Sequence, residues 1–151
     1  MKDGIYSFRF TGFDVTSIGI GYLVGLGKLT LLSNKIVDGH EWSAATLLSR
    51  RYDQLLPATF TLHGKFAEKR NGRIWGDVRF VQTGKLPRGM TKPEILDGTF
   101  NLVASGQETF WMISSYTRSE PSREANADEI ISGEMIWTKP AKRTIKPRRR
   151  A

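Results

Sequence analysis

Thr59-Phe60-Thr61-Leu62-His63-Gly64-Lys65-Phe66, followed past Asn71-Gly72 by Ile74-Trp75-Gly76-Asp77-Val78-Arg79-Phe80, decides the fold class. In both runs every second position is apolar or glycine, and all the positions between are polar except Trp75. A period of two is the mark of a strand with one buried face. Asn-Gly between two such runs predicts a hairpin closed by a type I′ turn, because both residues tolerate positive φ. Phe60, Leu62, Phe66 and Phe80 then share the interior face with Gly64 and Gly76, which mark either close packing or floor space for a ligand. His63, Trp75, Asp77 and Arg79 occupy the opposite face.

Working outward, the same period recurs along most of the chain. Tyr6, Phe8 and Phe10 alternate with Ser7, Arg9 and Thr11. Ile18, Ile20, Tyr22 and Val24 alternate with Gly19, Gly21 and Leu23, which predicts Tyr22 on the interior face. Gly25-Leu26-Gly27 is then expected to turn the chain into a further strand, Lys28 to Ser33. Segments 99–104, 109–117 and 130–138 read as strands, with Ser105-Gly106-Gln107 as the turn between the first two. Residues 42–52 are ambiguous between an extended segment and a short helix or irregular connection. Loops are expected at 84–93 and 119–128. At least seven strands and no convincing helix predict an all-β domain over residues 1–138, an antiparallel up-and-down β-barrel in preference to a sandwich, because glycine inside strands suits the coiling that closure demands.

Charge is unevenly placed. The 151 residues hold 23 Lys and Arg against 15 Asp and Glu, a formal net charge of +8 with a pI near 10.0. Seven of those bases, Lys139, Lys142, Arg143, Lys146, Arg148, Arg149 and Arg150, fall in residues 139–151, which contain no acid. The preceding 138 residues therefore carry 16 basic and 15 acidic side chains and are close to neutral. The tail, with its two prolines and single Ile145, cannot form a core and is expected to be disordered. Such a polycation can hold phosphates through counterion release, so nucleic acid is a possible partner through Lys142, Arg143, Lys146, Arg148, Arg149 and Arg150, but it offers no aromatic platform for single strands.

Motifs for catalysis fail in detail. Gly19 to Lys28 has Val24 where a dinucleotide fingerprint needs glycine, and Tyr22 and Leu29 where a phosphate loop needs glycine and Ser or Thr. No cysteine is present, and His40-Glu41 lacks the second histidine of a zinc helix. His63 and Asp77 read as an exposed cross-strand polar pair. Glu124, Asp128 and Glu129 belong to a solvated loop. No catalytic residue, metal or cofactor is expected, and the chain is read as a non-enzyme. Met1-Lys2-Asp3-Gly4 lacks the apolar run of a signal peptide, and Ile18–Leu26 is too short to span a bilayer as a helix. A cytoplasmic protein without membrane contact is expected.

The aromatics are more informative. Phe8, Phe10, Tyr22, Phe60, Phe66 and Phe80 all fall on predicted interior faces, where in a small barrel they either fill the core or line a pocket for a small apolar ligand. Trp75, on the polar face, is a candidate anchor for a protein partner or for a homodimer contact. Trp111 is ambiguous, since Thr109, Trp111 and Ile113 oppose Phe110, Met112 and Ser114.

The opening Met1-Lys2-Asp3-Gly4-Ile5-Tyr6-Ser7-Phe8-Arg9-Phe10, with Gly19-Ile20-Gly21-Tyr22-Leu23-Val24 and Gly27-Lys28, resembles the start of the small lipocalin-like proteins related to the negative regulator of type III secretion genes in attaching-and-effacing bacteria. The resemblance covers the first thirty residues. It implies a calycin-type antiparallel barrel and a bacterial regulatory role exercised by binding, since the best-known member of that family sequesters a transcriptional activator. The acidic partner-binding run expected of that member is missing here and the basic tail is an addition, so no site residue is carried over.

Overall fold

The computed structural model describes residues 1–16, 19–47, 56–69, 71–84, 92–93, 95–118 and 128–140. Eight strands, β1 (Gly4–Thr16), β2 (Gly19–Leu32), β3 (Lys35–Leu47), β4 (Leu56–Glu68), β5 (Ile74–Thr83), β6 (Ile95–Ala104), β7 (Thr109–Arg118) and β8 (Asp128–Lys139), pair in chain order. The sheet then closes on itself through β1 and β8, an up-and-down antiparallel barrel. The expected fold class is therefore the observed one, with one strand beyond the minimum of seven. Part of the ambiguous segment is strand, since β3 runs to Leu47; residues 48–55 lie outside the described residues, as do 141–151 of the tail.

Eight strands leave an interior just wide enough for side chains, or for one small ligand. Here the inward positions carry Phe8, Phe10, Phe60, Phe66, Phe80, Phe100, Phe110, Met112 and Met135, all buried. Phe60, Phe80, Phe100 and Phe66 form a chain of ring contacts with centroids 6.4, 5.9 and 6.3 Å apart. Each centroid spacing lies in the range of favourable aromatic pairs.

Two predictions about β2 are corrected. The strand runs unbroken from Gly19 to Leu32, with no turn at Gly25–Gly27. Its inward face is Gly21, Leu23, Gly25, Gly27, Leu29 and Leu31, whereas Tyr22, Val24 and Leu26 point outward. Tyr22, 38% exposed, is thus not an interior residue. The reason lies across the sheet, where the Phe8 and Phe10 rings lie flat against β2. A Cβ at Gly27 would stand 2.6 Å from both Phe8 Cε1 and the His40 carbonyl oxygen, and one at Gly25 would stand 2.6 Å from Phe10 Cε1. Glycine is the inner lining because phenylalanine fills the space in front of it.

The turns are exchanged as well. The type I′ signature, two successive residues with positive φ, belongs to Ser33 (50°) and Asn34 (62°), between paired Leu32 and Lys35. The β4–β5 connection is longer. Gly72 N–H donates to the Lys69 carbonyl, Lys69 N–H to the Arg73 carbonyl, and of Asn71 and Gly72 only Gly72 has positive φ (73°), so the Asn71-Gly72 hairpin forms without the predicted turn type. One end of the barrel is closed by the N-terminus. Tyr6 Oη donates to the Lys2 carbonyl at 2.8 Å, Ser33 N–H donates to Asp3 Oδ1 at 2.7 Å, and Met1 packs on the core. Burial pushes the Tyr6 phenol up to about 12, against a smaller downward pull from its hydrogen bond to Lys2.

Candidate functional site

The interior is the first candidate. Of the six residues predicted to line it, Phe8, Phe10, Phe60, Phe66 and Phe80 are inside and no more than 4% exposed, while Tyr22 is outside. Gly76 faces the Phe66 ring, whose Cδ1 would lie 2.5 Å from an added Cβ. Gly64 would meet Val78 Cα at 3.0 Å. Both glycines therefore serve close packing, not a ligand floor. Two buried polar residues, Glu41 and Gln82, were not picked out from the sequence. They flank Phe60 in one row across β3, β4 and β5. Gln82 was detectable, since it continues the inward phase of Val78 and Phe80. Glu41 was not, because its phase depends on the irregular register between Ile36 and His40.

The second candidate is the outward face around Trp75. The strand register places His63 opposite Arg79 and Lys65 opposite Asp77. Trp75 is half-buried, its Nε1 donates to Asp77 Oδ1 at 3.0 Å, and Lys69 Nζ lies 4.4 Å from its ring centroid. Arg79 makes a two-pronged contact to Asp97, Nε to Oδ1 at 2.7 Å and Nη2 to Oδ2 at 3.1 Å, which raises the guanidinium pKa. The indole that was to anchor a partner is thus engaged within its own chain. Lys35, His63, Lys65, Asp77, Arg79 and Asp97 border an open depression on this wall. Among the described residues no three of His, Cys, Asp and Glu are grouped as metal ligands would be.

A third region emerges only from the assembled barrel. The large exposed hydrophobic side chains are Phe13 on β1, Tyr22, Val24 and Leu26 on β2, Val37 and Trp42 on β3, Val103 on β6, Trp111 and Ile113 on β7, and Ile130 and Ile136 on β8. Among the described residues, β4 and β5 contribute none. Register joins most of the others into adjacent rows. One runs Val103, Trp111, Glu134, Arg9, Leu26, Trp42. The next runs Ile113, Ser132, Thr11, Val24, and the third Ile130, Phe13, Tyr22. Phe13 and Tyr22 meet edge to face at 5.8 Å, and Arg9 is ion-paired to Glu134. Trp111, Ile113 and Ile130 are each 62% exposed, well beyond what scattered surface apolar residues require of an explanation. The sequence signal was present in Trp111 and Ile113, but the pattern needed the register of five strands to be seen.

Lys142, Arg143, Lys146, Arg148, Arg149 and Arg150, the candidate phosphate contacts, lie outside the described residues.

Comparison with known proteins adds the fold alone. No protein-family model matches the chain, and no curated protein does. Among solved structures, one from the de novo design of transmembrane β-barrels is similar, with a TM-score of 0.60 at 9% identity over 91% of this chain and 98% of that one. An S-type phycobiliprotein lyase from Guillardia theta is similar at a TM-score of 0.38 and 8% identity, over 93% of this chain and 90% of that one. What this chain shares with the designed structure is a closed antiparallel barrel.

Proposed function

We propose that this protein is a non-enzymatic binding module that works through the outside of a filled barrel, its apolar wall holding another protein surface. The observation that carries the reading is the segregation of exposed large apolar side chains onto β6, β7, β8, β1, β2 and β3, with none on β4 and β5 among the described residues. A contiguous apolar face of this kind is characteristic of interaction sites. The packed rings and ring-filled glycines favour this over carriage of a small apolar ligand inside. The family resemblance of the first thirty residues favours regulation by binding in the same direction. The other wall speaks against a barrel that spans a bilayer, because Lys65, Asp77, Arg79 and Asp97 would face lipid, where one Arg or Lys at mid-depth costs about 2–4 kcal/mol. A cytoplasmic site of action is part of the proposal.

Pull-down with tagged wild type, Trp111→Arg and Lys65→Glu tests it. A partner recovered by wild type and Lys65→Glu but lost with Trp111→Arg is the expected result. Equal recovery by all three removes the apolar wall from function, and a small molecule retained in native mass spectrometry would restore the carrier reading. A second reading, nucleic-acid association through the tail, rests on the seven bases appended to a nearly neutral domain. Deleting residues 140–151 then abolishes salt-sensitive retention of DNA or RNA, and retention that survives the deletion refutes it.

A further inference from the structure

The apolar wall has a pattern that selects its occupant. Its central strands are β8 and β1, and their outward side chains in the first of these rows are Glu134 and Arg9, opposite charges on adjacent strands. We infer that the wall is a two-fold interface between two copies of this chain, with the axis parallel to the strands and passing between Arg9 and Glu134. This rests on the outer-face reading above and names the partner.

Rotation about that axis exchanges β1 with β8, β2 with β7 and β3 with β6. Arg9 of one copy then faces Glu134 of the other, and Glu134 faces Arg9. In the same row Leu26 meets Trp111, and Trp42 meets Val103. In the next row Val24 meets Ile113 and Thr11 meets Ser132; in the third, Phe13 meets Ile130. These six pairings are charge with opposite charge, apolar with apolar, or hydroxyl with hydroxyl, while at the margin the match ends, since Ser7 would face Ile136 and Lys28 would face Thr109. An isologous contact must be self-complementary in this way, residue i on j and j on i. A single-signed or one-sided patch could not satisfy it.

The size is that of a small interface. Six strands spaced about 4.8 Å apart and about five residues tall at roughly 3.3 Å each outline on the order of 500 Å² per copy, about 1,000 Å² over both, at the lower bound of a specific interface. Two barrels are convex, so their central strands touch first and a wedge opens on either side. The bulkiest exposed side chains, Trp111 and Trp42, stand on the flanking strands β7 and β3, where that wedge must be filled.

The test is charge reversal with mixing, read by sedimentation velocity of the full chain at micromolar concentration. Wild type is expected to sediment as a dimer. R9E places two acids at the centre of the face and E134R two bases, so each alone should weaken the dimer about tenfold or more through like-charge contact across the axis. An equimolar mixture of the two restores pairing, because the acid introduced at position 9 of one variant meets the base introduced at position 134 of the other, and should sediment as a heterodimer. Leu26→Lys, outside the ion pair, should also give monomers, with circular dichroism confirming that each variant keeps its sheet. Monomeric wild type overturns the inference, as does a dimer indifferent to both reversals and to Leu26→Lys. If wild type is monomeric while Trp111→Arg still loses a partner in pull-down, self-association falls and the outer-face reading stands; if Trp111→Arg loses nothing either, both fall.

Discussion

The wall made by β4, β5 and the Asp97 end of β6 and the wall made by the Val103 end of β6 with β7, β8, β1, β2 and β3 enclose one continuous apolar interior, yet they treat their outer faces in opposite ways. On the first, cross-strand neighbours are charged or polar and satisfy one another, as in the fork between Arg79 and Asp97 and the contact of Trp75 with Asp77. On the second, large apolar side chains stand exposed on either side of a polar centre, the Arg9–Glu134 ion pair and the neighbouring Thr11 and Ser132. Interior packing therefore does not dictate the exterior, since the alternation of a strand lets the two faces be chosen independently. The contrast locates function. The first wall pairs its charged groups within the chain, whereas the second keeps large apolar area in contact with solvent even where its rings touch, as Phe13 and Tyr22 do.

The two walls also differ in how their glycines are used, and the largest predicted effect breaks that difference open. Gly27→Ala, beneath the apolar wall, pushes against a backbone carbonyl as well as the Phe8 ring and should lower stability by about 3 kcal/mol, at the upper end of overpacking costs. Gly76→Ala, beneath the charged wall, meets the Phe66 ring first and no backbone atom among its three nearest neighbours, and should cost less, about 1 kcal/mol. Urea unfolding midpoints of the two variants compare them directly; equal losses would mean that ring and backbone yield alike.

Alkaline pH acts next, through Tyr6. Its phenol stays protonated in the folded barrel up to about pH 12 but ionises near 10.0 when unfolded, so the folded state holds its proton more tightly. The stabilisation this confers is complete below pH 10 and is lost as pH rises from 10 to 12, amounting to roughly 2–3 kcal/mol. Unfolding curves at stepped pH should show that decline in wild type and not in Tyr6→Phe.

A smaller effect, of opposite sign, separates the hairpin turns of the two walls. The β4–β5 turn already has glycine at its positive φ, whereas the β2–β3 turn forces Ser33 and Asn34 into that region. Replacing Ser33-Asn34 with Asn-Gly should therefore raise stability by about 1 kcal/mol, the scale of the left-handed penalty; thermal melts without a gain would show that the native pair is not strained. The smallest change belongs to the charged wall. Arg79→Ala should alter stability no more than scattered surface substitutions do, and less still in high salt, because both partners of the Arg79–Asp97 fork are largely exposed and screened by solvent.

Much of this was legible in the sequence. Period-two runs located β1, β4 and β5 with the right residues inside, because each alternates apolar or glycine positions with mostly polar ones, whereas the consecutive apolar residues Ile130-Ile131 and Met135-Ile136-Trp137 leave the inner face of β8 unassigned. In β2 the same rule failed. Leu29 and Leu31 lie in phase with Leu23 and with Gly21, Gly25 and Gly27, and that phase becomes visible only if the strand continues through the glycines. A turn placed at Gly25–Gly27 reset the phase and sent Tyr22 inside. The missing information was steric, namely that β1 supplies phenylalanine to β2 and needs bare backbone opposite. Trp75 was rightly placed outside, but its partners, Asp77 two residues along and Lys69 beyond the strand end, could not be assigned without coordinates. The apolar wall was illegible for a deeper reason, since it is a property of rows that cross five strands and no single strand contains it.

Closure of the barrel also has an order in time. Seven of the eight seams join strands adjacent in the chain, while the last joins β1 to β8 and pairs residues as far apart as Ile5 and Lys139. Local seams zip early, but a contact of that separation forms late, because loop entropy must be surrendered before it gives anything back. Of the eight strands, β8 is also the last to leave the ribosome. Until it arrives the nascent sheet carries two raw edges, β1 and β7, and β1 bears Phe13 beside one of them. Such an edge is a template for pairing with other chains. Synthesis of this protein therefore passes through a window of vulnerability that ends with a single strand, and a truncation anywhere before Asp128 leaves that window permanently open.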